Sequence, residues 1–213
     1  MCSRYYMEMS PELRPIVERA RSSSLAEKMV HDLGRPVRTE GEVRPTDIAP
    51  VIATDRNGHP SIFPMIWGFS APDRENTKRS QPLINARSET AAEKPTFRDC
   101  WARRRCIIPC SYYFEWEHLK KPDGSSRAGD KYIIQPEGAS AAWLAGLYRM
   151  EGNYPHFTVL TRRPSEALSK LHDRMPVILP KELIAEWIRP DRDPGRIISR
   201  ALTDMVFEKA PGR

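Results

Sequence analysis

The sequence predicts an α+β fold with a largely antiparallel, barrel-like β-sheet core flanked by short helices. Segments with strand character outnumber those with helical character, and short turns join most of them, as is typical of antiparallel sheets. The 20 prolines among 213 residues favour many turns over a bundle of long helices. A hydrophobic fraction of 39% can fill a core, so we expect residues 1–213 to form a single domain.

A helical region is predicted near the start of the chain. Residues 10–12 are a serine, a proline and an acid, the order in which many helices begin. Pro15 and the serine run 22–24 predict breaks, and Gly34 ends the pattern.

A β-hairpin is predicted after this helical region. Residues 35–47 are polar and extended, and Asn57-Gly58 predicts a tight turn between strands at 51–54 and 61–69. Residues 70–81 follow as a polar loop.

The second half of the chain has mainly strand patterns. Strands are predicted at residues 106–109, 112–117, 131–135, 142–148, 156–161 and 175–179. Helices are predicted at residues 88–92, 96–103, 164–171 and 181–188. Asp123-Gly124 and Gly152-Asn153 supply turn residues between strands.

Composition bounds the partners and the compartment. The 34 basic residues exceed the 28 acidic ones by six, and a pI near 9.2 permits an anionic partner. We find no apolar signal-peptide core and no membrane-spanning stretch, so we expect a cytoplasmic protein without a membrane partner. Cys100, Cys106 and Cys110 match no common zinc spacing and are interpreted as buried small hydrophobes. No metal or cofactor is expected.

Cys2 is the first candidate for covalent chemistry. If Met1 is removed, Cys2 carries a free α-amine and a thiol on adjacent carbons, groups that in short peptides titrate at about 8 and about 8.5. An aldehyde can form an imine with this amine, and the sulfur can then close a thiazolidine ring. The alternative is a chance cysteine on a frayed terminus.

Glu115 and His172 are candidates for proton transfer. Glu115 alternates with aromatic neighbours in a predicted strand, where burial would raise its pKa; the alternative is an acid on a solvent face. His172 precedes an apolar strand inside a polar run, and histidine is the natural proton shuttle near neutral pH; the alternative is a helix cap or surface residue. The other four histidines are assigned no role.

Three further residues are candidates for binding. Asn85 and Arg87 lie two apart, so an extended segment places them on one face, where they can bind a phosphate or a sugar oxygen. The alternative is that both satisfy buried backbone groups around a turn. Trp116 is either core or a platform for base stacking.

Several motifs together resemble the SOS response-associated peptidase (SRAP) family of abasic site processing proteins. The resemblance covers nearly the whole chain and its motifs occur in the family's order. These motifs are Met1-Cys2-x-Arg4, Val43-x-Pro45, Trp67-Gly68-Phe69, the run 82–90 with Asn85-Ala86-Arg87, the run 105–109, Phe114-Glu115-Trp116, and the run 172–179 that begins His172-Asp173-Arg174.

The resemblance implies a function and a set of site residues. Family members bind single-stranded DNA at an abasic site and capture its aldehyde as a thiazolidine, after autocatalytic removal of Met1; hydrolase- and lyase-like activity is therefore implied. A monomer that needs no cofactor is expected. The implied catalytic residues are Cys2, Asn85, Glu115 and His172, and the implied DNA contacts are Arg4, Pro45, Arg87, Trp116, Thr161 and Arg174.

The chain departs from the family pattern at several positions, and two other functions stay open. Ser3 replaces a common glycine, residues 42–45 read Glu-Val-Arg-Pro in place of a common asparagine with an alanine-proline pair, and residues 70–81 lack a common tryptophan. One alternative is a non-covalent single-stranded DNA-binding module. The other is a cysteine peptidase that acts on other proteins, with Cys2 activated by His172.

Overall fold

A computed structural model describes residues 2–71, 81–120 and 126–211. Within these ranges no helix is both long and apolar enough to cross a membrane. The strands are β1 (Arg4–Met7), β2 (Gly41–Val43), β3 (Ile48–Thr54), β4 (Pro60–Trp67), β5 (Asn85–Arg87), β6 (Arg105–Cys110), β7 (Tyr112–Lys120), β8 (Ser126–Pro136), β9 (Ala142–Glu151), β10 (Tyr154–Arg162), β11 (Met175–Pro176) and β12 (Met205–Lys209). The α-helices are α1 (Arg14–Arg21), α2 (Ser24–Leu33), α3 (Arg98–Arg103), α4 (Ile184–Trp187) and α5 (Pro194–Ile198).

Five strands close into a barrel. They follow the order β10-β4-β3-β6-β9, and β9 closes the ring because it pairs with β10 as well as with β6. Four of the five pairings are antiparallel, and only β10 with β4 is parallel. Together with the short helices, this confirms the predicted fold class.

A second sheet places the start of the chain beside β7. Its order is β12-β8-β7-β1-β2, with every pairing antiparallel. Tyr5 lies opposite Tyr113, and Arg4 lies opposite Phe114. Continuing this register by two residues brings Cys2 to the level of Glu115 and Trp116. The pairing thus joins β1 and β7, which are far apart in the chain.

The short strand β5 brings a third segment to the same end of the barrel. It runs parallel to β10, with Asn85 opposite Val159 and Arg87 opposite Thr161. On its other side β10 pairs with β11, so that Thr161 also lies opposite Pro176. The segment that carries His172 enters β11 from this end.

Arg105 is a structural cation and is only 1% exposed. Its guanidinium donates to the carbonyl oxygens of Trp187, Trp101 and Ala102 at 2.7, 2.8 and 3.1 Å. It also donates to the carbonyls of Arg189 and Arg192. Because carbonyls near helix ends carry partial negative charge, the buried cation ties α3 and α4 to the barrel.

Many predicted elements are confirmed. The hairpin turns at Asn57-Gly58, where Gly58 has a φ of 81°, and all six strands predicted from residue 106 onward are present, the last only as β11 and a bridge at Ile178. Ser23 caps α2, and Gly34 ends α2 in the left-handed region. A 3-10 helix at Ala167–Lys170 lies within the predicted helix 164–171, and one at Lys181–Leu183 continues into α4. Cys100, Cys106 and Cys110 are buried, as expected.

Three details of the prediction are wrong. The first helix begins at Arg14 and not directly after Ser10: residues 11–13 form turns, which the Ser10 hydroxyl caps by accepting from the Leu13 N–H at 3.3 Å. Pro15 lies in the first turn of α1, where its missing N–H has no partner to lose, so it does not break a helix. Residues 88–92 form turns, anchored by the Ser88 N–H to the Thr161 carbonyl.

Some predicted segments lie outside the described residues, and some elements of the structure were not predicted. The predicted turn Asp123-Gly124 and most of the loop 70–81 lie outside the described residues. Strand β12 and helix α5 were not predicted.

Gly146 is expected to be essential for barrel closure. A Cβ at this position would lie 2.8 Å from the Thr158 carbonyl oxygen and 3.2 Å from the Cys106 sulfur, with Ile108 closer still. Because the backbone of β10 cannot yield like a flexible side chain, we expect Gly146→Ala to lower the free energy of unfolding by about 2 kcal/mol. Urea denaturation measures this change. Gly195→Ala, in exposed α5, is the control and should leave stability unchanged or slightly higher; equal losses in both variants would contradict the interpretation.

Candidate active site

Cys2 is buried and held at its backbone. It is 0% exposed, and its carbonyl oxygen accepts a hydrogen bond of 2.8 Å from Asn85 Nδ2. Its Sγ donates to the Arg4 carbonyl oxygen at 3.8 Å. Burial, reinforced by the Glu115 carboxylate, raises the pKa of the thiol far above its ordinary value, so the sulfur is protonated at neutral pH. Cys2 is therefore not on a frayed end.

Glu115 and His172 form a buried pair beside Cys2. They are 4% and 6% exposed, and Glu115 Oε1 lies 3.8 Å from His172 Nε2. Burial raises the pKa of the Glu115 carboxyl, although the Trp116 N–H donates to Oε1 at 3.3 Å. The solvent-facing alternative for Glu115 is thus wrong.

Burial also lowers the pKa of His172 to about 4. The Asp173 carboxylate acts in the opposite direction from 2.7 Å, but its side chain is 76% exposed, so water screens its charge. His172 Nδ1 also lies 3.1 Å from the Arg174 backbone nitrogen. A neutral ring accepts this N–H at Nδ1 and carries its proton on Nε2, toward Glu115, whereas a protonated ring donates from Nδ1 to Asp173.

Arg174 and Thr161 form the outer support of this pair. The Arg174 guanidinium binds both carboxylate oxygens of Glu89 at 2.8 and 2.7 Å. It also donates to the Thr161 carbonyl at 2.7 Å, and the Thr161 side chain is fully buried. The Arg174 side chain is only 10% exposed, so this network fixes the loop that carries His172.

The other expected DNA contacts lie around the rim. Arg87 is exposed at the end of β5, and Pro45 is half-buried just beyond β2. The Arg4 guanidinium lies 5.3 Å from the ring centroid of the half-buried Trp116. The roles of these residues in DNA binding remain predictions.

Two tyrosines and a histidine were not anticipated at the site. Tyr5 and Tyr113 face each other across β1 and β7, and within the described ranges neither buried hydroxyl has a hydrogen-bond partner. Strand alternation could have placed Tyr113 on the face of Glu115, since the two are two residues apart. The His118 ring lies 4.0 Å from the His172 ring, a contact that depends on tertiary folding.

The site offers protein groups for acid–base and covalent chemistry. Among the described residues, no group of three histidine, cysteine, aspartate or glutamate side chains could hold a metal ion. What the geometry brings together is a cysteine, an amide, a carboxyl and an imidazole. The cysteine lies just before β1, the amide on β5 and the carboxyl on β7, and the imidazole comes from the loop before β11.

Relatives with similar sequences carry a common name. A Bacillus subtilis protein named abasic site processing protein YobE is 35% identical to this chain, over 76% of this chain and 77% of its own length. The Escherichia coli protein named abasic site processing protein YedK is 31% identical over 66% of this chain and 61% of its own length.

Solved structures share the fold. A crystal structure of a Bacteroides thetaiotaomicron protein matches with a TM-score of 0.71 at 20% identity, covering 99% of this chain and 92% of the other. A Bordetella bronchiseptica protein matches with a TM-score of 0.66, also at 20% identity, covering 99% of this chain and 100% of the other. The sequence profile described as SOS response associated peptidase (SRAP) matches residues 1–209, and the chain therefore belongs to the SRAP family.

Proposed function

We propose that this protein processes abasic sites in single-stranded DNA by forming a covalent crosslink through Cys2 after loss of Met1. The observation that carries the proposal is the grouping of the buried Cys2, Glu115 and His172 with the half-buried Asn85. The names of the relatives YobE and YedK support processing of abasic sites. One protein molecule, acting as a monomer, captures one lesion and shields it from strand cleavage.

The chemistry proceeds in two bond-forming steps. The Cys2 α-amine adds to the aldehyde of the ring-opened sugar, and the aldehyde oxygen leaves as water when the imine forms. The Cys2 sulfur then adds to the imine carbon, and the thiol proton passes to the nitrogen. The product is a thiazolidine, in which the former aldehyde carbon is bonded to both nitrogen and sulfur.

Glu115 and His172 supply the proton transfers. The raised pKa of Glu115 allows it to deliver a proton to the departing oxygen and to accept one from an attacking group. His172 relays protons through its ring: it takes one up at Nδ1, where the Asp173 carboxylate lies 2.7 Å away, and releases one from Nε2 toward Glu115 Oε1, 3.8 Å away. Before the first capture, the same carboxyl can activate water for hydrolysis of the Met1-Cys2 peptide bond.

Asn85 and the rim residues orient the reactants. Asn85 Nδ2 holds the Cys2 carbonyl, which fixes the direction of the adjacent amine. Arg4, Arg87 and Arg174 contact phosphates on either side of the lesion, and Pro45, Trp116 and Thr161 shape the path of the strand.

Burial of Cys2 argues against a general cysteine peptidase. Such enzymes need a thiolate that polypeptide substrates can reach, whereas the Cys2 thiol is fully buried and its pKa is raised. A purely non-covalent DNA-binding module would not need a carboxyl and an imidazole enclosed beside a cysteine. Crosslinking uses all of these groups.

Cys2→Ala should abolish the stable crosslink while leaving imine formation possible, because alanine retains the α-amine but lacks the sulfur. The measurement is a denaturing gel after incubation with single-stranded DNA that carries one abasic site. We expect a shifted band for the wild type, none for Cys2→Ala, and a band for Cys2→Ala once borohydride reduces the imine.

The controls for this experiment are DNA without the lesion and Cys100→Ala, which removes a different buried thiol. Mass spectrometry verifies that Met1 is absent. A wild-type protein that lacks Met1 and gives no lesion-dependent band would refute the proposed function.

Glu115→Gln should slow crosslinking by on the order of 10²-fold, because the amide keeps the shape of the side chain but cannot transfer a proton. The measurement is the single-turnover rate of band formation at neutral pH. Glu117→Gln, two residues along β7, is the matched control and should react at the wild-type rate. Equal rates for Glu115→Gln and the wild type would remove Glu115 from the mechanism.

His172 should make folding stability fall on acidification. Its pKa is about 4 when folded and rises to about 6.5 in the unfolded chain, so between these values the unfolded chain binds a proton that the folded chain does not. This contribution is fully present above about pH 6.5 and is lost as pH falls toward 4. Between about pH 7.5 and 5 we expect acidification to remove about 2 kcal/mol of stability through this group.

Urea unfolding of the wild type and of His172→Gln at both pH values measures this contribution. The variant should lose less stability on acidification, by that amount. His59→Gln, at an exposed turn position, should behave like the wild type. An unchanged pH dependence in His172→Gln would contradict the lowered pKa.

A further inference from the structure

We propose that Arg44 and Lys131, together with Arg4, form a phosphate-binding site for the DNA backbone next to the lesion. The site lies on the second sheet and is organised by Glu42. We refer to Arg4, Glu42, Arg44 and Lys131 as the Glu42 cluster. The inference rests on the proposed function, since it assigns a further contact to the same DNA strand.

Glu42 connects three cations from separate segments of the second sheet. Its Oε1 accepts from Arg4 and from Arg44 Nε, both at 2.8 Å, and its Oε2 accepts from Lys131 Nζ at 3.0 Å. Burial opposes ionisation, but the hydrogen bonds from Lys131 and Arg44 hold the pKa of Glu42 below its ordinary value. Three positive charges surround one negative charge, so the cluster has a net positive charge.

The cations keep donors for a ligand. A guanidinium has five N–H groups on three nitrogens, and Glu42 engages one nitrogen of each arginine. The Lys131 ammonium has three N–H groups, and one hydrogen bond joins it to Glu42. The Arg44 side chain is 52% exposed, whereas that of Glu42 is 18% exposed. The carboxylate therefore lies beneath the cations and leaves them accessible to an anion.

An aromatic floor adjoins the cluster. Lys131 Nζ lies 3.5 Å from the ring centroid of Phe114 and 5.3 Å from that of Trp116. Arg4 lies over the same indole. Cations that follow a phosphate chain beside aromatic rings that can stack bases are typical of surfaces that bind single-stranded nucleic acid without sequence preference.

A strained turn fixes the direction of Arg44. Thr46 has a φ of 75°, which is uncommon for a β-branched residue, and its N–H donates to the Trp67 carbonyl at 2.8 Å. The Arg44 N–H donates to the Asp47 carboxylate at 3.0 Å. Strain of this kind persists where the surrounding structure holds it and is concentrated at functional sites.

The cluster lies close enough to serve the strand captured at Cys2. Arg4 is two residues from Cys2 on the chain, which corresponds to about 7 Å along a strand. Arg44 follows β2 and Lys131 lies on β8, and both share the carboxylate partner of Arg4. A backbone phosphate of the nucleotide next to the lesion fits the charge and position of this cluster.

The test measures reversible binding in a Cys2→Ala background, with an oligonucleotide of single-stranded DNA that lacks a lesion. Fluorescence anisotropy over a series of salt concentrations gives the affinity and its salt dependence. Adding Arg44→Gln and Lys131→Gln together should weaken binding about three- to tenfold and reduce the slope of log K against log salt by about 0.7, the value for one phosphate contact on a single strand.

Two variants separate charge from packing. Lys131→Arg keeps the positive charge over Phe114, so Lys131→Arg with native Arg44 should bind like the Cys2→Ala parent. Lys209 lies on strand β12 of the same sheet and is paired with Asp130, and Lys209→Gln should also have no effect on binding. The single variant Lys131→Gln, made in the same Cys2→Ala background, gives the loss to compare. An equal loss of affinity in Lys131→Arg would assign the effect to packing and overturn the proposal.

An unchanged affinity and salt slope in the double variant, or no measurable binding by the Cys2→Ala parent, would also overturn the proposed phosphate site. These outcomes are distinct from failure of the proposed function. That function fails when wild-type protein without Met1 forms no crosslink with lesion-bearing DNA, whatever its affinity for intact strands.

Discussion

The pairing of β1 between β2 and β7 is the constraint on which the rest of the site depends. Because Tyr5 lies opposite both Val43 and Tyr113, the first residues of the chain cross the second sheet between two other strands. This pairing buries Cys2 and brings it level with Glu115. The Asn85 amide then fixes the Cys2 carbonyl from a third strand. A shift of β1 by one residue would turn Tyr5 outward and remove Cys2 from its partners.

Burial drives the reactive groups toward their neutral forms. It raises the pKa of the Cys2 thiol and of the Glu115 carboxyl, and it lowers that of His172. These shifts have opposite signs but a common cause, since each opposes the charged form. In the proposed reaction, neutral reactants give a neutral thiazolidine, and charge is present only while protons are in transit. A desolvated, uncharged site suits this sequence of steps better than it suits a standing thiolate.

Local patterns predicted much of the fold and some of the site. Alternation of side chains identified β7 and placed Glu115 on the other face of the strand from its aromatic neighbours. Asn57-Gly58 located the hairpin. Long-range contacts were not accessible in this way. The pairing of β5 with β10 joins Asn85 to a strand that lies far along the chain, and the ion pair of Glu89 with Arg174 spans 85 residues. Glu89 itself lies in the turns at residues 88–92, where local composition favoured a helix.

Three of the arginines near the site share one arrangement, in which a carboxylate holds the guanidinium in place. Glu89 holds Arg174, and Glu42 holds Arg4 and Arg44. Each such pair lowers the local positive charge that a nearby phosphate meets, and the chain's formal charge of +6 already counts these carboxylates. They also restrict long side chains, each of which would otherwise lose about 0.5–1.5 kcal/mol on binding. Preorganisation therefore offsets part of the lost attraction. On the proposed function, these contacts need only align the aldehyde with Cys2, because the covalent bond retains the lesion.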